Sequence, residues 1–245
     1  HCLGSAPALA LHPMKPEFAT VGEDGTVRVW DIYTRNLIKM ATFDTALTCV
    51  AYHPNGDMLV VGMGGEAGGA ETRTKKDGAL YLLNESDLTV TYEARDSKKK
   101  LTVAMFSPNG ECLAMGSADN CVYLYSTEEE FMKIGKCKRH SAPIRHVDFS
   151  EDSNWIRTSG SDDEINFFSA TTAQYQGNLS AMRDVQWTTH TCEYTWETAG
   201  IYPPVLDGAE VLCVGRSSSK TLLACGDSFG NLRMFRYPCT ARESS

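Results

Sequence analysis

The sequence predicts an all-β protein built from repeated blades of short strands, and three observations carry that reading. A pattern of apolar strands around a shared glycine occurs five times along the chain. With two insertions set aside, its spacing is about 40 to 45 residues, the period of WD40 propeller blades. No segment holds apolar residues at helical spacing long enough for a major helix, and Ser126 to Ile134 is the one candidate for a turn or two.

The units follow in order. The first runs from Leu9-Ala-Leu-His-Pro13 to Phe18-Ala-Thr-Val-Gly-Glu-Asp-Gly-Thr-Val-Arg-Val-Trp-Asp31. The second pairs Val50-Ala-Tyr-His-Pro54 with Met58-Leu-Val-Val-Gly62, and the third Ala104-Met-Phe-Ser-Pro108 with Leu113-Ala-Met-Gly-Ser-Ala-Asp119. The fourth joins His146-Val-Asp-Phe-Ser150 to Ile156-Arg-Thr-Ser-Gly-Ser-Asp162, and the fifth Val211-Leu-Cys-Val-Gly215 to Leu222-Leu-Ala-Cys-Gly-Asp227. The shared glycines, Gly22, Gly62, Gly116, Gly160 and Gly226, lie 40, 54, 44 and 66 residues apart. The first excess is the glycine-rich insertion around Gly64 to Lys76, and the second lies between Thr171 and Gly208. Because a structureless connection of that length is improbable in a compact domain, the second is expected to supply extra strands, with Asp184 to Trp187 and Thr198 to Tyr202 as candidates. The blades are thus placed at 1–41, 42–93, 94–136, 137–208 with extra strands at 183–203, and 209–239.

In WD40 blades a His, a Ser/Thr, an Asp and a Trp form a buried hydrogen-bonded chain. The matching residues in the first unit are His1, Thr20, Asp24 and Trp30. In the fourth they are His140, Thr158 and Asp162, where Phe168 stands in place of Trp and has no indole N–H to donate. Such residue types also resemble a catalytic Ser/Thr-His-Asp set, but a nucleophile needs an exposed elbow and an oxyanion hole, for which no local signal exists. His12 and His53 precede prolines in turns, and no histidine spacing suggests a metal.

Composition excludes several classes. The 23 Lys+Arg against 31 Asp+Glu give a charge of −8, which argues against a nucleic-acid partner. Hydrophobic residues at 42% exclude a disordered chain. The longest uncharged stretch, Ile165 to Met182, is too polar for a membrane span. Nine scattered cysteines without a C-x-x-C pair read as reduced thiols rather than a disulfide framework or zinc cluster. The run Gly62-Met-Gly-Gly65 lacks the lysine and helix of a phosphate loop. No enzyme, cofactor or metal is therefore expected.

The last quarter carries a further signal. Arg183-Asp-Val-Gln-Trp-Thr-Thr-His-Thr-Cys192, Ala199-Gly-Ile-Tyr-Pro203, Cys225-Gly-Asp-Ser-Phe-Gly-Asn-Leu-Arg-Met-Phe235 and Tyr237-Pro-Cys239 together resemble the echinoderm microtubule-associated-protein-like family. Tyr202, where Trp is frequent, and Ser228, where a second Asp is, depart from its pattern. The resemblance spans the chain and implies the larger part of the second of two joined propellers. Five units fall short of a usual ring, so neighbouring blades from the same chain or a partner are expected to cover its open edges. The resemblance implies a cytoplasmic, cytoskeletal scaffold binding tubulin or microtubule-linked partners through rims and inserted loops. Candidate contacts are Lys75, Lys76, Lys98, Lys99, Lys100, Lys138 and Arg139, with Lys133 and Lys136 nearby. The alternatives are a structural component of ciliary doublets in the axoneme, or a peptide-recognition adaptor using Arg28, Arg145 or Arg233.

Overall fold

The computed structural model describes residues 5–65, 76–202 and 210–240. Blade 1 is the antiparallel sheet of β1 (Ala8–Leu11), β2 (Glu17–Val21), β3 (Thr26–Asp31) and β4 (Leu37–Thr42). Blade 2 holds β5 (Leu47–Tyr52), β6 (Met58–Met63), β7 (Ala79–Asn84) and β8 (Val90–Arg95). Blade 3 holds β9 (Leu101–Phe106), β10 (Cys112–Ser117), β11 (Cys121–Ser126) and β12 (Met132–Lys138). Blades 4 and 5 have three strands each: β13 (Ile144–Phe149), β14 (Trp155–Gly160) and β15 (Ile165–Ser169), then β16 (Val211–Arg216), β17 (Leu222–Asp227) and β18 (Leu232–Arg236). The described residues form an all-β propeller arrangement of five blades.

Blades 2 and 3 carry buried apolar residues on both faces, so each packs against two neighbours. The innermost strands pack in succession, β1 on β5, β5 on β9 and β9 on β13. Val27 and Val29 of blade 1 meet Leu47, Leu59 and Val61 of blade 2; Val60 and Leu82 meet Leu101 and Leu113; Ala114 and Leu124 meet Ile144, Val147 and Phe149. The repeated glycine makes room for this stacking. A Cβ on Gly62 would lie 2.9 Å from Leu101, and one on Gly116 would lie 2.8 Å from Ile144, in each case the first residue of the next inner strand.

A polar latch repeats at the opposite end of the blades. His12 Nε2 meets the carbonyl of Gly56 at 3.1 Å, and His53 Nε2 meets that of Gly110 at 3.0 Å. The Nδ1 atom of His12 accepts the N–H groups of Met14 and Lys15, both at 3.0 Å, which leaves the ring proton on Nε2 for Gly56. The turn histidines therefore also join each blade to the next. From blade 3 to blade 4 the histidine is gone, and Asn109 donates its N–H to Ser153 Oγ at 3.2 Å instead.

Three sequence expectations are corrected. The anticipated strands at 183–203 are not formed within 183–202: Trp187 makes an isolated bridge to Ser150, and Trp196–Ile201 is a 3-10 helix. The backbone N–H groups here go to a buried carboxylate and to capping contacts rather than to a ladder, as described below. Second, the boundaries at 41, 93 and 136 cut into β4, β8 and β12, because exposed outer strands carry little apolar periodicity to mark their ends. Third, Ser126 to Ile134 forms no helix; Glu130 and Phe131 adopt φ of 49° and 58°, left-handed values that no helix tolerates.

The latch can be weighed against backbone strain. Gly110 has φ +80° and its Cβ would sit 2.7 Å from His53, whereas Gly230 has φ +82° with no atom within 4 Å. Gly230→Ala should cost about 1–2 kcal/mol from left-handed strain alone. Gly110→Ala should cost measurably more in urea denaturation, because the His53 bond is displaced as well.

Candidate functional site

Two hydrogen-bonded chains occupy the positions picked out by the blade motif. In blade 1, Trp30 Nε1 donates to Thr20 Oγ1 at 2.9 Å across the β2–β3 pair. Asp24 accepts the Thr26 N–H at 3.1 Å and the Thr26 hydroxyl at 2.7 Å, and it pairs with Arg28 Nη2 at 3.2 Å. His1 lies outside the described residues. In blade 4, His140 Nδ1 is 3.0 Å from Asp162 Oδ1 and Nε2 is 2.8 Å from Thr158 Oγ1. A carboxylate only accepts, so Nδ1 carries a proton, and in the neutral ring Nε2 accepts a hydrogen bond from the Thr158 hydroxyl. Burial would raise the Asp162 carboxyl, but His140 and the Ser141 N–H hold it below the usual carboxylate range. Thr158 is fully buried, so its hydroxyl cannot meet a substrate. Phe168 stands opposite Ile156 as Trp30 stands opposite Phe18, and it packs edge-on against Tyr175 at 5.8 Å.

A second polar centre lies on the other face of blade 4. Along β13 and β14, Val147, Phe149 and Ile156 point toward blade 3, while Asp148 and Arg157 point away from it. Arg157 Nε donates to Asp148 Oδ2 at 2.9 Å, with both side chains buried. Around Asp148 gather the Thr189 hydroxyl, the Thr191 N–H at 3.0 Å, its hydroxyl at 3.0 Å and the Cys192 N–H at 3.1 Å. Arg157 Nη2 donates to the Thr189 carbonyl at 3.2 Å, and the guanidinium lies 4.7 Å from the Trp187 ring. Burial alone would raise the Asp148 carboxyl; the guanidinium and these donors hold it far below its ordinary range. Neighbouring His190 is buried and further opposed by Arg157 and Arg216, which lowers its pKa to about 3.

This centre fastens the segment 187–192 to blade 4, and the same segment receives blade 5. Arg216 Nη2 donates to the carbonyls of Trp187 and Thr188 at 2.6 and 3.2 Å. Arg145 pairs with Glu210 at 2.7 Å, and Lys220 pairs with Glu151. Asp148 and Arg157 were not singled out from the sequence. Strand alternation puts them off the blade 3 face, and only the covering segment buries them.

The basic candidates are spread apart. Lys98, Lys99 and Lys100 are exposed side by side in the turn from β8 to β9. Lys76 pairs with Asp44 at 2.9 Å, Lys133 with Asp96 at 2.8 Å, and Lys136 with Asp119 at 3.2 Å; Lys75 lies outside the described residues. Arg139 lies 4.9 Å from the Tyr175 ring, and Lys138 is exposed at the end of β12. Arg28, Arg145 and Arg233 already hold Asp24, Glu210 and Asp227 at 3.2, 2.7 and 3.2 Å. Cys49, Cys112, Cys121, Cys137, Cys192, Cys213 and Cys225 are thiols, and burial pushes Cys49, Cys112 and Cys137 up to about 12. Among the described residues no group of three His, Cys, Asp or Glu side chains could hold a metal ion.

Repeated blades joined through inner strands, with Trp-Thr and His-Thr-Asp chains in the motif positions, define a WD40-type β-propeller. Within that class, residues 7–245 match the family model described as the echinoderm microtubule-associated protein second beta-propeller, and the chain belongs to this family. It is 31% identical to echinoderm microtubule-associated protein-like 1 of Rattus norvegicus over 95% of its own length and 27% of that protein. It is 32% identical to the protein-like 2 relative of the same organism, over 94% of its length and 34% of that protein. Against the 77 kDa echinoderm microtubule-associated protein of Strongylocentrotus purpuratus the identity is 33%, over 94% of the chain and 32% of that protein. The chain thus spans about a third or less of these curated relatives.

Two outcomes follow from the buried charges. Arg157→Ala should cost about 3–5 kcal/mol in denaturant unfolding, since it strands the Asp148 charge without its partner. The depressed Asp148 and Asp162 groups stabilise the fold fully above the unfolded Asp pKa near about 4. Below it the unfolded chain binds protons that the native state refuses, so melting temperature should fall as pH drops from about 5 to 3, and less so in Asp162→Asn.

Proposed function

We propose that the chain acts as a non-enzymatic, microtubule-associated scaffold module, binding tubulin or microtubule-linked partners through its propeller rim and inserted loops. It would do so in the cytoplasm, on the microtubule cytoskeleton. Family membership supports the microtubule association, because the relatives carry that association in their names. The observation that supports a direct contact is the turn Lys98-Lys99-Lys100: three exposed ammonium groups without an ion pair among the described residues. The whole chain carries −8, so an acidic partner is repelled at long range and attracted only within a Debye length of such a turn. A contact of this kind is local and salt-sensitive.

The two end faces support a further part of this reading. On blade 1, Leu9 is 58% exposed and Leu11 65%; on blade 5, Leu232 is 75% exposed and Met234 63%. These residues point away from the packed sides of their blades, on faces that elsewhere in the array are covered by the next blade. Neighbouring blades from the rest of the same polypeptide are the proposed cover.

Co-sedimentation with microtubules and binding to soluble tubulin, measured for the complete protein at two salt concentrations, tests the contact. Binding should weaken as salt rises, and reversing Lys98, Lys99 and Lys100 to Glu should weaken it by about tenfold at low salt. Absence of binding at low salt would sink a direct tubulin role.

A further inference from the structure

Blade 4 is left without a complete outer strand. After β15 the chain doubles back only briefly: Ser169 N donates to the Gln174 carbonyl at 2.9 Å and Gln176 N to the Phe167 carbonyl at 2.8 Å, with a single bridge between Phe168 and Tyr175. It then turns away into the short helix α1 (Leu179–Met182). Residues two apart in a strand direct their backbone groups to the same edge. Ile165 therefore aims its N–H and C=O outward like Phe167 and Ser169, and no backbone partner meets them there among the described residues.

Beside that vacated edge lies a cleft of about 410 Å³. Its walls are Ile165 and Phe167 of β15, Leu179 and Met182 of the helix, and the indoles of Trp187 and Trp196. Leu179 and Trp196 are each 61% exposed. The floor is the buried Arg157. Its Nε is taken by Asp148 and its Nη2 by Thr189, but Nη1 makes no hydrogen bond among the described residues. At the mouth stands the exposed Arg183, without an ion pair among them. Asp148 behind the floor balances the Arg157 charge, so the unpaired Nη1 edge of Arg157 is a hydrogen-bond donor, and Arg183 and Glu197 are the charged groups nearer the mouth.

We propose that this cleft binds an extended peptide carrying a bulky apolar residue next to a carboxylate. The peptide backbone adds to the open edge at Ile165, as in strand addition to other sheet edges. The apolar side chain enters between Trp187 and Trp196, and the carboxylate meets Arg183 at the mouth and the Nη1 edge of Arg157 at the floor. An aromatic anchor beside an arginine is the combination that concentrates binding energy in small interfaces. This site is separate from the Lys98–Lys100 turn, so its failure and that of the microtubule reading are distinguishable.

Fluorescence anisotropy with labelled peptides in a Gly/Ser background tests it on the full chain. A peptide with a central Phe-Glu step should bind saturably, and Phe-Gln and Ser-Glu versions should bind about tenfold more weakly. Trp196→Ala should reduce affinity for the Phe-Glu peptide by about tenfold or more. Arg183→Glu should shift preference from the Phe-Glu to a Phe-Lys peptide, a reversal that loss of fold cannot mimic. Both side chains are exposed, and circular dichroism checks that the variants stay folded; if Trp196→Ala does not, the charge swap at Arg183 decides alone. Absence of saturable binding by the Phe-Glu peptide, as when a segment of the same polypeptide already fills the cleft, or equal binding by the Arg183→Glu variant, overturns the proposal.

Discussion

A carboxylate sealed from water has to be answered by charge and by hydrogen bonds, or the fold does not form around it. Asp148 has no exposed surface, and its oxygens are met by one guanidinium, two hydroxyls and two backbone N–H groups. Those donors belong to one strand of blade 4 and to the irregular stretch that follows it. The need to satisfy this one charge fixes the path of residues 187–192, and that path is the surface on which blade 5 rests. Arg216, reaching back from blade 5 to the Trp187 and Thr188 carbonyls, depends on their being held in place.

The first four blades are joined by a different principle. Apolar side chains interleave between successive sheets, and directed bonds at the blade ends support the junctions, from His12 and His53 at the first two and from the Asn109 N–H to Ser153 at the third. Burial of this kind is non-directional and tolerates volume-conserving change. Among the described residues the junction between blades 4 and 5 shows no comparable shared apolar cluster: the blade 5 core closes on Ile201, Tyr202 and Cys239 instead. Polar bonds and ion pairs carry that junction, through Arg216 on the Trp187 and Thr188 carbonyls and through the Arg145–Glu210 and Lys220–Glu151 pairs.

Incomplete blades have consequences for recognition. Where a fourth strand is present, as β4, β8 and β12 are, the blade edge is closed by its own chain. Among the described residues blades 4 and 5 have three strands each, and backbone groups at such an edge seek partners. The basic turn at Lys98–Lys100 and the aromatic cleft under Trp196 are different surfaces with different chemistry, one long-range and salt-screened, the other short-range and shaped.

The repeated blade, its glycine spacing, the Trp30–Thr20 pair and the His140–Thr158–Asp162 chain were legible from residue order, because each depends on residues within one blade or its entering loop. Alternation along β13 and β14 puts Asp148 and Arg157 off the blade 3 face, although neither was singled out from the sequence. Tertiary structure alone decided that this face is buried, since the cover comes from residues some forty positions further on. The apolar residues of 183–202 read as strands because Val185, Trp187 and Ile201 have strand propensity. The fold overrode that propensity: a buried carboxylate and the Thr195–Thr198 capping contacts offered the backbone N–H groups better partners than a ladder did.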